Sequence, residues 1–518
     1  MVNIYEQKKG DSQMNAIHVS EMDNVATALE ILKKNDVALG VTVLQDIRKG
    51  HKFATLAIKK GEPIIKYAAH IGIASCDIKA GEWVHIHNIE SERGRGDTDS
   101  SVRDIKQKVY GQSAIAENDK AYKLRGYRRG NGSFGFRNHI LVIPSVHCAN
   151  KVVESIVNTI TYSDEVKNDE TNVVYVTHQH GCSELNYDAR QTQDVIVGTG
   201  ANPNVHSILV VGLGCEGVPA KAVAAEIKAR APYKNVEYFT IQEVGGVGKS
   251  IEKGVQIVKK MLAEARKMQK SEGDLSDVVF GTECGGSDSF SGLSANPSLG
   301  KASDMVIQHG GSVILAETTE LIGAEHILAS RAVNNSVKEE ILNTIKGFED
   351  SVIKSHADMR GANPSPGNIE GGLSSIEEKS LGCIYKAGNQ PVVAVKGYAK
   401  QITDKGLTFM NTPGNDIEQL SGMVAGGCNI CVFTTGLGTP TGSAIVPTIK
   451  LASNSAVFET MNDSIDLNAG TVIEGTKNLQ EVGEEILGFI VSVSNGTLTK
   501  AEINRQNDFS IWRLATTV

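Results

Sequence analysis

Four cysteines stand at the ends of apolar runs: Cys148 after VIPSVH, Cys182 after VTHQHG, Cys215 after VVGLG, and Cys284 in GTECGG. Such runs read as strands covered on both faces. In a parallel sheet the carboxyl ends of the strands line one edge, where open α/β sheets take their ligands. Core cysteines would be expected inside strands, not repeatedly at their exits. Thiolate is a soft ligand that suits iron or zinc, and three thiolates can also hold an iron–sulfur cluster with one iron open. The stretch FGTECGGSDSFSGLSANP (280–297) adds Ser287, Asp288 and Asn296 to Cys284. Its glycines permit close backbone approach and its small side chains leave room for a ligand.

Histidines form a second set. His178 and His180 alternate in VTHQH, and His85 and His87 alternate in WVHIHN. On a strand each pair would share a face and supply two metal ligands, or a ligand and a general base. His51, after the turn IRKG, is a further candidate, whereas His326 in IGAEHILAS reads as structural. GLGTPTGSAIVPTIK (436–450) combines a strand exit, hydroxyls and Lys450, a texture suited to a polyhydroxylated anion.

Other patterns carry less. GLGCEG (212–217) matches a dinucleotide fingerprint by letter, but Cys215 and Glu216 fall where small or neutral residues are usual. EVGGVGKS (243–250) lacks the first glycine of a phosphate loop and reads as a turn into a helix starting near Lys249. CNIC (428–431) has no second pair for zinc and reads as two core thiols.

The elements that would position these residues fall into regions. Residues 14–90 alternate short apolar pieces with Gly turns, an all-β module with one helix expected at VATALEILKK. Residues 91–121 are polar and charged, a linker. From 122 apolar runs alternate with helical stretches such as ANKVVESIVNTI and PAKAVAAEIKARA. This predicts mainly parallel sheets in two α/β units, 122–266 and 272–513. At 518 residues the chain exceeds one core. A net charge of −8 argues against a nucleic-acid surface. No apolar run is long enough to span a membrane, and the polar N-terminus lacks a signal-peptide core. The cytoplasm is the expected compartment, where eight cysteines are not a disulfide framework.

Taken in order, DNVATAL, GHKFA (50–54), VHIHN, GFRN (135–138), THQHGC, VVGLGCE, ECGGSDSFSGLSANP, NPSPGN with GGL (371–373), and TTGLGTP with VPTIK resemble the altronate and galactarate dehydratases, to which the sulfolactate sulfo-lyases are similar. The resemblance implies an N-terminal SAF-type β-clip module followed by two Rossmann-like α/β domains. It also implies a hydro-lyase that turns a hexonate or hexarate, altronate-type favoured, into a 2-keto-3-deoxy acid with ferrous iron, mononuclear rather than clustered. On that reading Cys182, Cys215, Cys284 and Cys148 converge on the iron with His178 nearby. His85, His87 or His51 moves protons, Arg137 beside Asn138 clamps the carboxylate, and Ser287, Asp288, Asn296 and Lys450 meet the hydroxyls. The expected partner is the small-molecule substrate, with a homodimer allowed. The rival readings are galactarate dehydration, a sulfo-lyase, a nicotinamide-dependent dehydrogenase resting on GLGCEG, and a non-catalytic sugar-acid-binding protein.

Overall fold

The computed structural model describes residues 14–93, 122–161 and 171–518. Most of the expected linker, from residue 94 to 121, lies outside the described residues.

The N-terminal region is built from short antiparallel strands. Ala16–Ile17, Val25–Ala28, Lys52–Ala54 and Trp83–Val84 form one sheet in that order. Pro63–Lys66, Ala69–Ala74 and Ile89–Glu90 form another. VATALEILKK is not the expected helix. Its first four residues are a fully buried strand, paired on both sides. Ladder pairing and the β-branched Val25 and Thr27 outweigh the helical preference of alanine and leucine. The HxH expectation also changes here, because the strand ends at Val84. The Asn88 side chain accepts from His85 N and donates to the Trp83 carbonyl, which closes a turn. His85 is therefore buried and His87 exposed.

The rest is α/β with parallel sheets. Val173–Tyr175, His139–Pro144, Val205–Gly212 and Asn235–Thr240 form a four-stranded parallel sheet in that order. Seven parallel strands follow, in the order Val392–Lys396, Gly406–Met410, Ser312–Leu315, Val279–Cys284, Ile430–Thr435, Thr448–Ala452 and Leu467–Asn468. The expected helices appear as Asn150–Thr161 and Ala220–Arg230. The glycine-rich turn leads into Val247–Ala265, two residues earlier than expected. Leu124–Arg128 pairs with both Phe134–Gly135 and Ser271–Gly273, so the chain enters and leaves the four-stranded unit through one small sheet. Ile143, Ile208, Met423 and Ile511 share an apolar cluster that joins the two parallel units, and Cys428 and Cys431 are buried in it as core thiols.

The β-module is tied to the C-terminal unit by buried charge. Glu378 accepts from Lys52 Nζ at 2.8 Å and from Lys66 Nζ at 2.9 Å, with all three side chains out of water. Burial opposes its ionisation, yet the two ammonium groups hold its carboxyl below the usual range. Burial pulls Lys52 down to about 8 even beside this partner. Removing one member of such a group leaves uncompensated charge in the interior. Glu378→Gln is expected to cost about 3–5 kcal/mol of stability. An unchanged denaturation midpoint would show that the ammonium groups find other partners.

Candidate active site and metal centre

The strand Val279–Cys284 delivers Cys284 into the C-terminal unit, where its sulfur is buried. The neighbouring strand Ser312–Leu315 exits into Glu317, which adopts a left-handed backbone (φ 68°) and presents its carboxylate to Cys284 N at 3.1 Å. A non-glycine residue held there stores strain of order 1–3 kcal/mol, a feature of functional sites. Glu320 follows, with an oxygen 3.2 Å from Cys284 Sγ. The helix Ile376–Cys383 supplies Cys383, its sulfur 3.6 Å from that of Cys284 and 3.4 Å from Glu317. Lys386 Nζ lies 3.3 Å and 3.0 Å from the two sulfurs and contacts the Glu317 carboxylate.

The electrostatics of this nest are unusual. The hydrogen bond from Cys383, with help from Lys386, holds the Cys284 thiol well below its usual range, while burial and the Cys284 charge push Cys383 up. The two sulfurs are thus driven in opposite directions, Cys284 toward its charged form and Cys383 away from it. Burial, then the Cys284 charge, raises Glu320 to about 8 and Asp416 to about 6. Glu283 is fully buried with neither carboxylate oxygen hydrogen-bonded, and burial pushes it far up. So many acids around few cations make a pocket suited to added positive charge.

A crevice opens beside the nest. Ser287, Asp288, Ser291 and Asn296 line one wall, Lys379, Gly382 and Cys383 the other, and Tyr67 of the β-module closes one side. Three residues singled out from sequence, Ser287, Asp288 and Asn296, therefore do come together. Ser287 Oγ is buried without a partner, free for a ligand. Asp288 is committed to the loop, since its carboxylate accepts from Ser291 N and Oγ, Ser453 Oγ and Asn454 Nδ2. Lys379 bridges crevice and nest through an ion pair with Glu320 at 2.6 Å. Only glycine fits at 372, where φ is 98° and a Cβ would strike Ser289 Oγ and the Gly50 carbonyl, while Gly371 packs closely on Asp288.

Several expected site residues are placed elsewhere. The carboxylate Arg137 clamps is the protein's own Glu502, not one free for a substrate. Arg137 is fully buried and its five N–H groups go to Glu502 and to the carbonyls of Phe136, Val493 and Thr497. Asn138 bridges Arg129 and the Ala265 carbonyl. Lys450 donates to the carbonyls of Pro440 and Thr441, holding that loop from behind. His178 has both ring nitrogens engaged, with the Pro144 carbonyl and with His180 N, so it is not a free base. His51 likewise accepts from Trp83 Nε1 and meets the Glu370 carbonyl, strapping the β-module to the loop before Gly371. His85 stacks on Trp83 with its Nδ1 unpartnered, and burial first, then Lys52, brings it down to about 3. Neither His85 nor His87 lines the crevice.

The four strand-exit cysteines do not meet at one ion. Cys284 is buried in the nest, whereas Cys148, Cys182 and Cys215 are exposed at the edge of the other parallel sheet. At GLGCEG the slot that would take a pyrophosphate already holds an anion: Glu216 accepts from Gly214 N at 2.5 Å, Ala220 N at 3.4 Å and Ser145 Oγ at 3.1 Å. The residues missed from sequence are Glu317, Glu320, Lys379, Cys383 and Lys386. Glu317 carries the same strand-exit signal as the cysteines, in a carboxylate. Cys383, in IEEKSLGC, has only its place one turn after Lys379 to betray it.

Fold and site together define a three-part α/β enzyme with a small crevice that shares Cys383 with a candidate metal centre. A family described as D-galactarate/altronate dehydratase, C-terminal, matches residues 275–517. The D-galactarate dehydratase/altronate hydrolase second domain matches 126–266, and the altronate/galactarate dehydratase SAF domain matches 14–92. An altronate dehydratase of Bacillus subtilis (strain 168) is 36% identical over 97% of this chain and 99% of its own length. One of Escherichia coli (strain K12) is 35% identical over 96% and 98%. The galactarate dehydratase (L-threo-forming) of the same organism is 33% identical over 93% and 92%. The chain belongs to the altronate/galactarate dehydratase family.

The nest fits a divalent metal. Cys284, Glu317, Glu320 and Cys383 bring ligand atoms within 4.8 Å of one another, and the orphaned Glu283 carboxyl lies alongside. Binding must displace protons from Cys383 and Glu320 and move the Lys386 ammonium aside. Cobalt(II) titration is expected to release protons and to produce a sulfur-to-metal absorption band that Cys284→Ser and Cys383→Ser each weaken strongly. Absence of the band in the unsubstituted protein would exclude thiolate ligation there.

Proposed function

We propose that the chain dehydrates a sugar acid of the altronate type, taking the C2 proton and expelling the C3 hydroxyl to give a 2-keto-3-deoxy acid and water. One observation carries this reading: Ser287, Asp288 and Asn296 share a crevice with Lys379 and Cys383 of the nest. The surrounding chain aligns over nearly its whole length with altronate dehydratases.

The elimination needs charge neutralised at the carboxylate, a proton taken beside it and a poor leaving group protonated. Ferrous iron, held by Cys284, Cys383, Glu317 and Glu320, would supply Lewis-acid polarisation of the carboxylate and hydroxyl. Among the titratable side chains on the crevice wall, Glu378 is locked between two lysines and Asp288 is saturated by donors. Lys379, tied to Glu320, Asn363 and Asn368, is the remaining group placed to move protons once substrate displaces one of those partners, with the Tyr67 phenol across the crevice. Ser287 Oγ donates to a substrate hydroxyl. The β-module places Tyr67, and its His51 and Lys52 hold the 370–372 loop through the Glu370 and Gly372 carbonyls.

Under anaerobic conditions with ferrous iron, altronate is expected to give 2-keto-3-deoxy product faster than galactarate, and sulfolactate no sulfite. Lys379→Met should lower kcat by roughly 10²–10⁴-fold. Ser287→Ala should raise KM by up to about tenfold, the worth of one hydrogen bond. Turnover of sulfolactate alone, or an undiminished kcat in Lys379→Met, would overturn the assignment.

A further inference from the structure

The dehydration chemistry leaves three thiols unused. Cys148, Cys182 and Cys215 follow the strands His139–Pro144, Val173–Tyr175 and Val205–Gly212, which are adjacent in one sheet. Free cysteine is among the most buried residue types. Yet of the four exposed cysteines in the chain, Cys76, Cys148, Cys182 and Cys215, three share this one edge.

Their loops are fastened to one another. His147 N donates to the His180 carbonyl at 2.9 Å, and Gly217 N and Val218 N donate to the Gly181 carbonyl at 2.9 Å and 3.3 Å. Ser145 Oγ donates to Glu216. Gly181, at φ 98°, packs where a Cβ would strike the Ser145 carbonyl, so only glycine lets the first two loops meet. Gly214, at φ 129°, precedes Cys215 as Gly181 precedes Cys182. Ser183, immediately after Cys182, is itself left-handed at φ 56°. Three thiols have thus been brought to one rim on a rigid, partly strained frame. Nearby ligand side chains are spent elsewhere: His178 on Pro144 and His180, His180 on Glu184 at 2.5 Å, Glu216 on backbone N–H groups.

Spacing decides what the rim can hold. Among the described residues only the buried nest gathers three ligand atoms within 4.8 Å of one another. The exposed thiols are therefore set too widely to converge on a single ion. An iron–sulfur cubane binds each thiolate through a different iron and requires wider spacing. We propose that Cys148, Cys182 and Cys215 hold a [4Fe–4S] cluster whose fourth iron carries no protein thiolate. The cluster is a second iron centre, distinct from the nest. Its open iron faces solvent at a sheet edge, where a carboxylate or hydroxyl oxygen can reach it.

The test does not depend on turnover, so it stands or falls apart from the dehydratase reading. The full chain, reconstituted anaerobically with ferrous iron and sulfide, should carry about four acid-labile sulfides and a broad visible absorption. Cys148→Ser, Cys182→Ser and Cys215→Ser should each lose most of the labile sulfide, while Cys284→Ser keeps it. In the unsubstituted chain, reconstitution should shield these three thiols from alkylation, a readout that needs no variant to fold. Absence of labile sulfide, a single zinc or iron without sulfide at these thiols, or undiminished sulfide in the triple serine variant would each overturn the proposal.

Discussion

Charge buried at one helix organises this molecule. Ile376–Cys383 sends consecutive side chains in different directions: Glu377 to Ser91 at the exit of the β-module, Glu378 to Lys52 and Lys66 inside it, Lys379 to Glu320 and Cys383 to Cys284. A carboxylate removed from water is tolerable only when its partners are fixed. The β-module therefore cannot shift without exposing an unpaired charge. The same eight residues that clamp the module form a wall of the crevice and part of the nest, so docking and site geometry are one constraint.

That constraint explains the density of glycine around the crevice. Gly50, Gly371 and Gly372 bring the β-module turn, the loop before the helix and the Asp288 turn into backbone contact. Asp288 and His51, both candidates for chemistry by residue type, serve this assembly by tying loops together. The groups left with unused capacity are Ser287 and the acids of the nest, Glu283 above all, and these are the ones a substrate or metal would meet.

Sulfur appears in three environments with three consequences. Cys428 and Cys431 are apolar filler between the parallel units. Cys284 and Cys383 lie 3.6 Å apart in a nest where Lys386 Nζ reaches both sulfurs. Cys148, Cys182 and Cys215 sit at a rim, held by backbone contacts between loops. Residue type is identical in all three, and burial with neighbouring charge makes the difference.

Much was legible in the sequence because it depends on local pattern. Apolar runs, glycine turns and strand-exit cysteines marked the β-module, the parallel sheets and the edge bearing Cys148, Cys182 and Cys215. The motif around Ser287, Asp288 and Asn296 marked the crevice. Partner choice was not legible. Arg137 and Lys450 look the same in the text whether they face a substrate or a backbone carbonyl, and Val25–Ala28 reads as helix until flanking strands claim it. Glu317, Lys379, Cys383 and Lys386 come from segments up to 69 positions apart and acquire chemistry only on meeting in the dry interior. Periodicity and turn residues act over a few positions and are written in the chain. Desolvation and pairing act across space, so only the folded structure could decide which side chains were spent on holding it together.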